Sequence, residues 1–124
     1  MKILVLDDDR GRLKQFMEKL IGHDVCCVET AQEAIRKLKE EEIFDYAFFD
    51  HDLGGKVFVE SGGQDFTGWD VAVWLTQNIE KQPKKIVIHS FNPAGAANMK
   101  SLLPQALLMP GVWGANLGEW LKNA

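Results

Sequence analysis

Short apolar runs alternate with amphipathic stretches along the whole chain. Lys2-Ile3-Leu4-Val5-Leu6 is apolar almost throughout and halts at Asp7-Asp8-Asp9, the pattern of a strand buried on both faces. Leu13, Phe16, Met17 and Leu20 then recur at i, i+3, i+4 and i+7, which predicts a helix with Gly22 at its C′ position. Asp24 to Val28 reads as a second strand. Thr30-Ala31-Gln32-Glu33 reads as a capping box, and Ala31, Ala34, Ile35 and Leu38 form the apolar stripe of a second helix. Tyr46 to Asp50 is a third strand that ends in Asp50-His51-Asp52. Residues 51–66 then form a long glycine-containing loop with Val57-Phe58-Val59 and Ser61-Gly62-Gly63; a loop of that length is functional or makes a small hairpin. Thr67 and Asp70 cap a third helix bearing Val71, Trp74 and Leu75. Lys85 to Ile88 is the fourth strand. Asn92-Pro93 is an N-cap and N1 pair for a fourth helix with Met99, Leu102 and Leu103, which Pro104 ends. Gln105 to Met109 is the fifth strand, and Trp113, Leu117, Trp120 and Leu121 mark a short last helix expected to cover the sheet edge.

Strands alternating with helices imply parallel pairing and right-handed crossovers, with helices on both faces. The expected fold class is α/β: a flavodoxin-like, doubly wound five-stranded parallel sheet of order 2-1-3-4-5. The functional crevice of such a sheet lies at the carboxyl ends of strands 1 and 3, where the order reverses. Those tips carry Asp7, Asp8 and Asp9 from strand 1, and Asp50, His51 and Asp52 from strand 3. Strand 4 adds His89, Ser90 and Asn92. So many titratable groups on one edge argue for a site over mere solvation of strand ends.

Composition narrows the partners. With 124 residues, 46% hydrophobic and 26% charged, the chain is expected to be a single domain spanning 1–124. A formal charge of −4 without a basic stripe argues against duplex DNA and leaves a small phosphorylated ligand or an RNA end, which needs a pocket and not a basic surface. No apolar run approaches a membrane span, and Met1 to Leu6 meets Asp7 too early for a signal peptide, so no membrane partner and a cytoplasmic location are expected. Cys26 and Cys27, adjacent in a strand, should point to opposite faces, where pairing with each other is poor.

The Asp7-Asp8 pair, Asp50 at the end of strand 3, Ser90 after strand 4 and the βα order resemble response-regulator receiver domains. That resemblance implies Mg²⁺ held by the acidic pair and Asp50, and phosphorylation of Asp50. The chain departs from the receiver pattern in strand 5, where Met109-Pro110 stands in place of Lys-Pro, and no Lys or Arg occurs between Lys100 and Lys122. Leu107 holds the place of the switch aromatic. Asp50-His51-Asp52-Leu53-Gly54, Thr67-Gly68, and His89-Ser90-Phe91-Asn92-Pro93-Ala94-Gly95 with Asn98-Met99 resemble instead a divergent branch, the cyclic-phosphate-processing receiver domains. That resemblance implies processing of a cyclic phosphate through two histidines.

Opening a cyclic phosphodiester needs a base to activate water and an acid to protonate the leaving oxygen, roles two histidines can divide. The expected catalytic set is His51 and His89, flanking the phosphate, with Asp50 and Asp8 orienting them or holding a metal. Ser90, Asn92, Gly95 and Arg10 are the expected phosphate ligands, the N-terminus of helix 4 offering N–H groups. Arg12 also follows the acidic triplet, with Arg10 preferred. His23 falls at the opposite end of the sheet and is expected to be inert. Trp113 and Trp120 read as packing. A divalent cation, Mg²⁺ or Mn²⁺, on Asp7, Asp8 and Asp50 would offset the acidic crowding. The alternative function is a signalling module, either phosphorylated on Asp50 or a non-catalytic pseudo-receiver, working with a protein partner.

Overall fold

In the computed structural model, which describes residues 1–53, 67–114 and 116–123, the apolar runs pair as one parallel sheet of order β2-β1-β3-β4-β5. The strands are β1 (Lys2–Leu6), β2 (Asp24–Val28), β3 (Tyr46–Phe49), β4 (Lys85–Ile88) and β5 (Leu107–Leu108). The helices are α1 (Arg10–Lys19), α2 (Ala31–Glu40), α3 (Gly68–Gln77), α4 (Pro93–Leu102) and α5 (Leu117–Asn123). The expected order and doubly wound α/β architecture are therefore those of the protein. The expectations for residues 54–66, including Val57-Phe58-Val59, lie outside the described residues.

Side-chain alternation along each strand divides the core in two. Leu4, Leu6, Ala47, Phe49, Ile86 and Ile88 pack beneath α2, α3 and α4. Ile3, Val5, Tyr46, Phe48 and Val87 face Phe16 and Leu20 at α1 and Leu117 and Leu121 of α5. Cys26 packs with the first cluster and Cys27 with the second, as opposite faces of one strand require.

Local sequence sets the helix starts. The Thr30 side chain accepts from Glu33 N–H, and Thr67 with Asp70 makes a full capping box. Asn92 accepts from Gly95 N–H with Pro93 at the first helical position. Three expectations need correction. β5 is only Leu107–Leu108, because Ala106 turns its N–H to Leu103 O and its carbonyl to Lys100 Nζ, away from the sheet. The last helix lies on a sheet face and not over its edge, with Trp120 edge-on to Tyr46 at 5.6 Å between ring centres. Gly22, at φ +96, sits one position later than expected, since Leu20 is the C-cap of α1.

Register then assembles the site. Leu6 pairs with Phe49, and Phe49 with Ile88, so the residues that follow them, Asp7, Asp50 and His89, come side by side. Asp50 N–H donates to Leu6 O, and His89 N–H to Phe49 O, which holds this row rigidly to the sheet.

Candidate functional site

The row opens into a crevice of about 340 Å³ lined by Asp8, Asp9, Arg12, Asp50, Asp52, His89, Ser90, Phe91, Asn92 and Trp113. At its base lies Asp7, fully buried. Both Asp7 oxygens are engaged: Arg12 donates from Nε to Oδ2 and from Nη2 to Oδ1, each at 2.8 Å, and His89 Nε2 lies 3.0 Å from Oδ2. Burial alone would raise the Asp7 pKa, but the hydrogen bonds from His89 and Arg12 outweigh it and hold the carboxyl at about 2. The acid therefore stays ionised, and the same pairing holds the Arg12 guanidinium firmly charged, above its ordinary range.

An ionised carboxylate only accepts hydrogen bonds, so Asp7 fixes the imidazole with its proton on Nε2. Whenever the ring is neutral, its lone pair is then on Nδ1. That nitrogen is buried and has no hydrogen-bond partner among the described residues. The ring is wedged edge-on between Phe16 and Trp113, with centroid distances of 5.2 and 5.7 Å, which denies it a second orientation.

Asp50 is the counterpart of Asp7. It too is buried, but it gains less: Oδ1 accepts from His51 N–H at 2.9 Å, while Arg12 Nη2 stands 3.4 Å from Oδ2. Burial pushes its pKa up to about 6, with Asp7 adding to the rise while His89 and Arg12 only partly oppose it. Two neighbouring carboxylates thus differ in protonation around pH 6, the separation of environments that acid–base sites exploit.

The two predicted histidines do not face each other. His89 follows Val87 by two positions and shares its face, on the side of α1. His51 falls one position past Asp50 and turns to the other face, where its ring lies against Gly95 of α4; a Cβ there would stand 2.5 Å from the ring. His51 Nδ1 pairs with Asp52 Oδ1 at 2.8 Å. Asn92 Nδ2 donates to the same oxygen at 3.1 Å. His51 thus reaches the crevice through Asp52.

The expected phosphate ligands divide similarly. Ser90 and Asn92 line the crevice, but Ser90 Oγ accepts from Asn92 N–H, and Asn92 Oδ1 accepts from Gly95 N–H. The Gly95 N–H is therefore already taken, and this glycine serves close packing. Arg10, with 88% of its side chain exposed, pairs with Glu29 away from the crevice. Arg12 is the guanidinium inside it. His23 lies beside the N-terminal amine, at 3.1 Å. The signal that favours Arg12 over Arg10 was the five-residue step from Asp7, which brings the third residue of α1 back over the strand tip.

One donor atom from each of Asp7, Asp50 and His89 falls within 4.8 Å of the others, a set that overlaps the expected Asp7, Asp8 and Asp50. Asp8 lines the mouth of the crevice instead. Arg12 nevertheless already holds both Asp7 oxygens and leans on Asp50. With a guanidinium in that place, these residues do not fit a resident divalent cation.

The comparisons agree with this architecture. The family model described as cyclic-phosphate processing receiver domain matches residues 2–105. A CheY-like response-regulator receiver domain from Methanospirillum hungatei JF-1 superposes with a TM-score of 0.73 at 21% identity, over 98% of this chain and 90% of that one. The response regulator TrrA from Thermotoga maritima, in complex with Mg²⁺ and BeF, gives 0.71 at 21% identity, over 99% and 98%. The phosphorylated cyanobacterial phytochrome response regulator RcpA gives 0.72 at 16%, over 99% and 95%. At such identities the likeness concerns the fold. No curated protein matches the chain.

Proposed function

Because the chain belongs to the cyclic-phosphate processing receiver domain family, we propose that its crevice opens a cyclic phosphodiester on a nucleotide or RNA 2′,3′ end by hydrolysis. The observation that carries this reading is the Nδ1 of His89, unpartnered among the described residues, on a ring whose other nitrogen is held by ionised Asp7. A buried imidazole with one nitrogen committed and one waiting is arranged as a base.

In this reading His89 Nδ1 takes a proton from water as the water oxygen bonds to phosphorus. The ring P–O bond breaks, and the leaving oxygen takes a proton from Asp50, whose raised pKa keeps a protonated fraction near pH 6. The product is a phosphomonoester. His89 returns its proton and Asp50 regains one through solvent, so the cycle closes without a co-reactant. His51 acts as a positioning residue, fixing Asp52 and, through Asn92, the entry of α4.

The test incubates the protein with 2′,3′-cyclic nucleotides, 3′,5′-cyclic nucleotides and cyclic-ended RNA, comparing wild type with His89→Ala and His51→Ala. Turnover of at least one substrate, lost in His89→Ala, is expected. Absence of turnover on all three would end the proposal. A mass increase with acetyl phosphate that disappears in Asp50→Asn would instead favour a phosphorylated signalling module.

A further inference from the structure

A phosphate entering this crevice meets the carboxylates of Asp8, Asp9, Asp50 and Asp52 at its walls, and Arg12 is the only lysine or arginine among the described lining residues. An anion bound among them needs a cation within reach. A bound metal is one solution, but Arg12 already holds the carboxylates that such a metal would need. We infer that Arg12 is the phosphate-binding cation of the site and replaces a divalent metal there.

The geometry of the guanidinium supports both halves of this inference. Nε and Nη2 face inward and are spent on Asp7 and Asp50. Nη1 makes no hydrogen bond among the described residues; its nearest acid, Asp9 Oδ2, is 3.7 Å away, beyond hydrogen-bond reach. Its two N–H groups therefore remain for an anion, on a side chain that is 27% exposed. The guanidinium plane is braced from outside by Trp113, whose ring centre is 5.2 Å from Cζ, so it needs little ordering when an anion arrives. A guanidinium locked on its inner edge, with Nη1 open on the outside, suits a charge-assisted hydrogen bond to a phosphate oxygen. The inner edge, meanwhile, keeps the three-donor set from closing on a metal.

This inference rests on the cyclic-phosphate reading for its ligand, but its test needs no turnover. The full chain in EDTA is treated with phenylglyoxal, with and without inorganic phosphate as the probe anion. Modification of each arginine is then read by peptide mass spectrometry. Phosphate should slow modification of Arg12 by roughly threefold or more, as expected for a charge-assisted contact, and leave Arg10 and Arg36 unchanged. Protection that is absent, that requires added Mg²⁺, or that is equal at Arg10 and Arg12 overturns the inference. The metal half is read separately by Mn²⁺ binding followed by electron paramagnetic resonance. Arg12→Gln, checked for folding by circular dichroism, should bind Mn²⁺ about tenfold or more tighter than wild type, because it frees the carboxylates. Equal affinity in the two proteins, or tight Mn²⁺ binding by wild type, would refute the replacement. Should Arg12→Gln fail to fold, the wild-type affinity alone decides the matter. No turnover with intact Arg12 protection would sink the proposed reaction and leave the anion site standing.

Discussion

Asp7 Oδ2 lies 3.0 Å from His89 Nε2, a bond between side chains 82 positions apart in the chain. It exists because β1 and β4 flank β3 in exact register, so the first residue past each strand falls in one row. Everything assigned to His89 depends on it, since Asp7 decides which imidazole nitrogen faces the reaction.

Asp7→Asn should therefore imitate the loss of His89. On a cyclic phosphate, kcat should drop by roughly 10²–10⁴-fold, the usual range for losing a general base. The Asp7→Asn/His89→Gln double variant should be no slower than either single, as for groups acting as one unit. Stability should also fall, by about 3–5 kcal/mol in urea unfolding, because Arg12 loses the partner of a largely buried ion pair.

Asp50 predicts a pH-dependent stability of the opposite sign from Asp7. Its folded pKa, about 6, stands above the ordinary carboxyl value of 3.8, so the folded state binds the proton more tightly. Stability is thus lost as pH rises from about 4 to about 6. Asp50→Asn removes that loss: it should unfold at higher urea than wild type above pH 6, by up to about 3 kcal/mol, and show no gain at pH 4 or below. Asp7, lowered to about 2, contributes stability above its ordinary range that disappears as pH falls towards 2.

Gly95→Ala places a methyl group 2.5 Å from the His51 ring, and the ring is itself tied to Asp52. Overpacking of this kind should cost about 1–3 kcal/mol. His51→Ala in the same protein should recover most of it, and a double-mutant cycle by thermal or urea unfolding measures the coupling directly. Additive losses would show that the two residues do not touch in solution.

The strand order and the location of the crevice were legible because continuous apolar runs ending in Asp7, Asp50 and His89 mark buried strands and their tips. Caps at Thr30, Thr67 and Asn92 were legible for the same local reason: their side chains satisfy N–H groups within a few residues. The relation of His51 to His89 was harder to read. It depends on side-chain parity along two different strands, and only the register Phe49 with Ile88 shows that Asp50, and not His51, is level with His89. The choice between Arg10 and Arg12 likewise turned on helical phase, since two residues' difference in α1 swings a side chain about 200° around the axis. The brevity of β5 reflects the turn at Ala106, whose backbone bonds Leu103 and Lys100 in place of the sheet, which hydrophobicity does not report.

The most direct measurement of the account is the initial rate of opening of a 2′,3′-cyclic nucleotide, followed by phosphorus NMR in EDTA across pH for wild type, His89→Gln and His51→Ala. Wild type should release the phosphomonoester at a rate that declines as pH rises past about 6, when Asp50 loses its proton. His89→Gln should be slower by roughly 10²-fold or more, and His51→Ala should keep most of the rate. A His89→Gln protein as fast as wild type, with His51→Ala inactive, would contradict the assignment of His89 as the base.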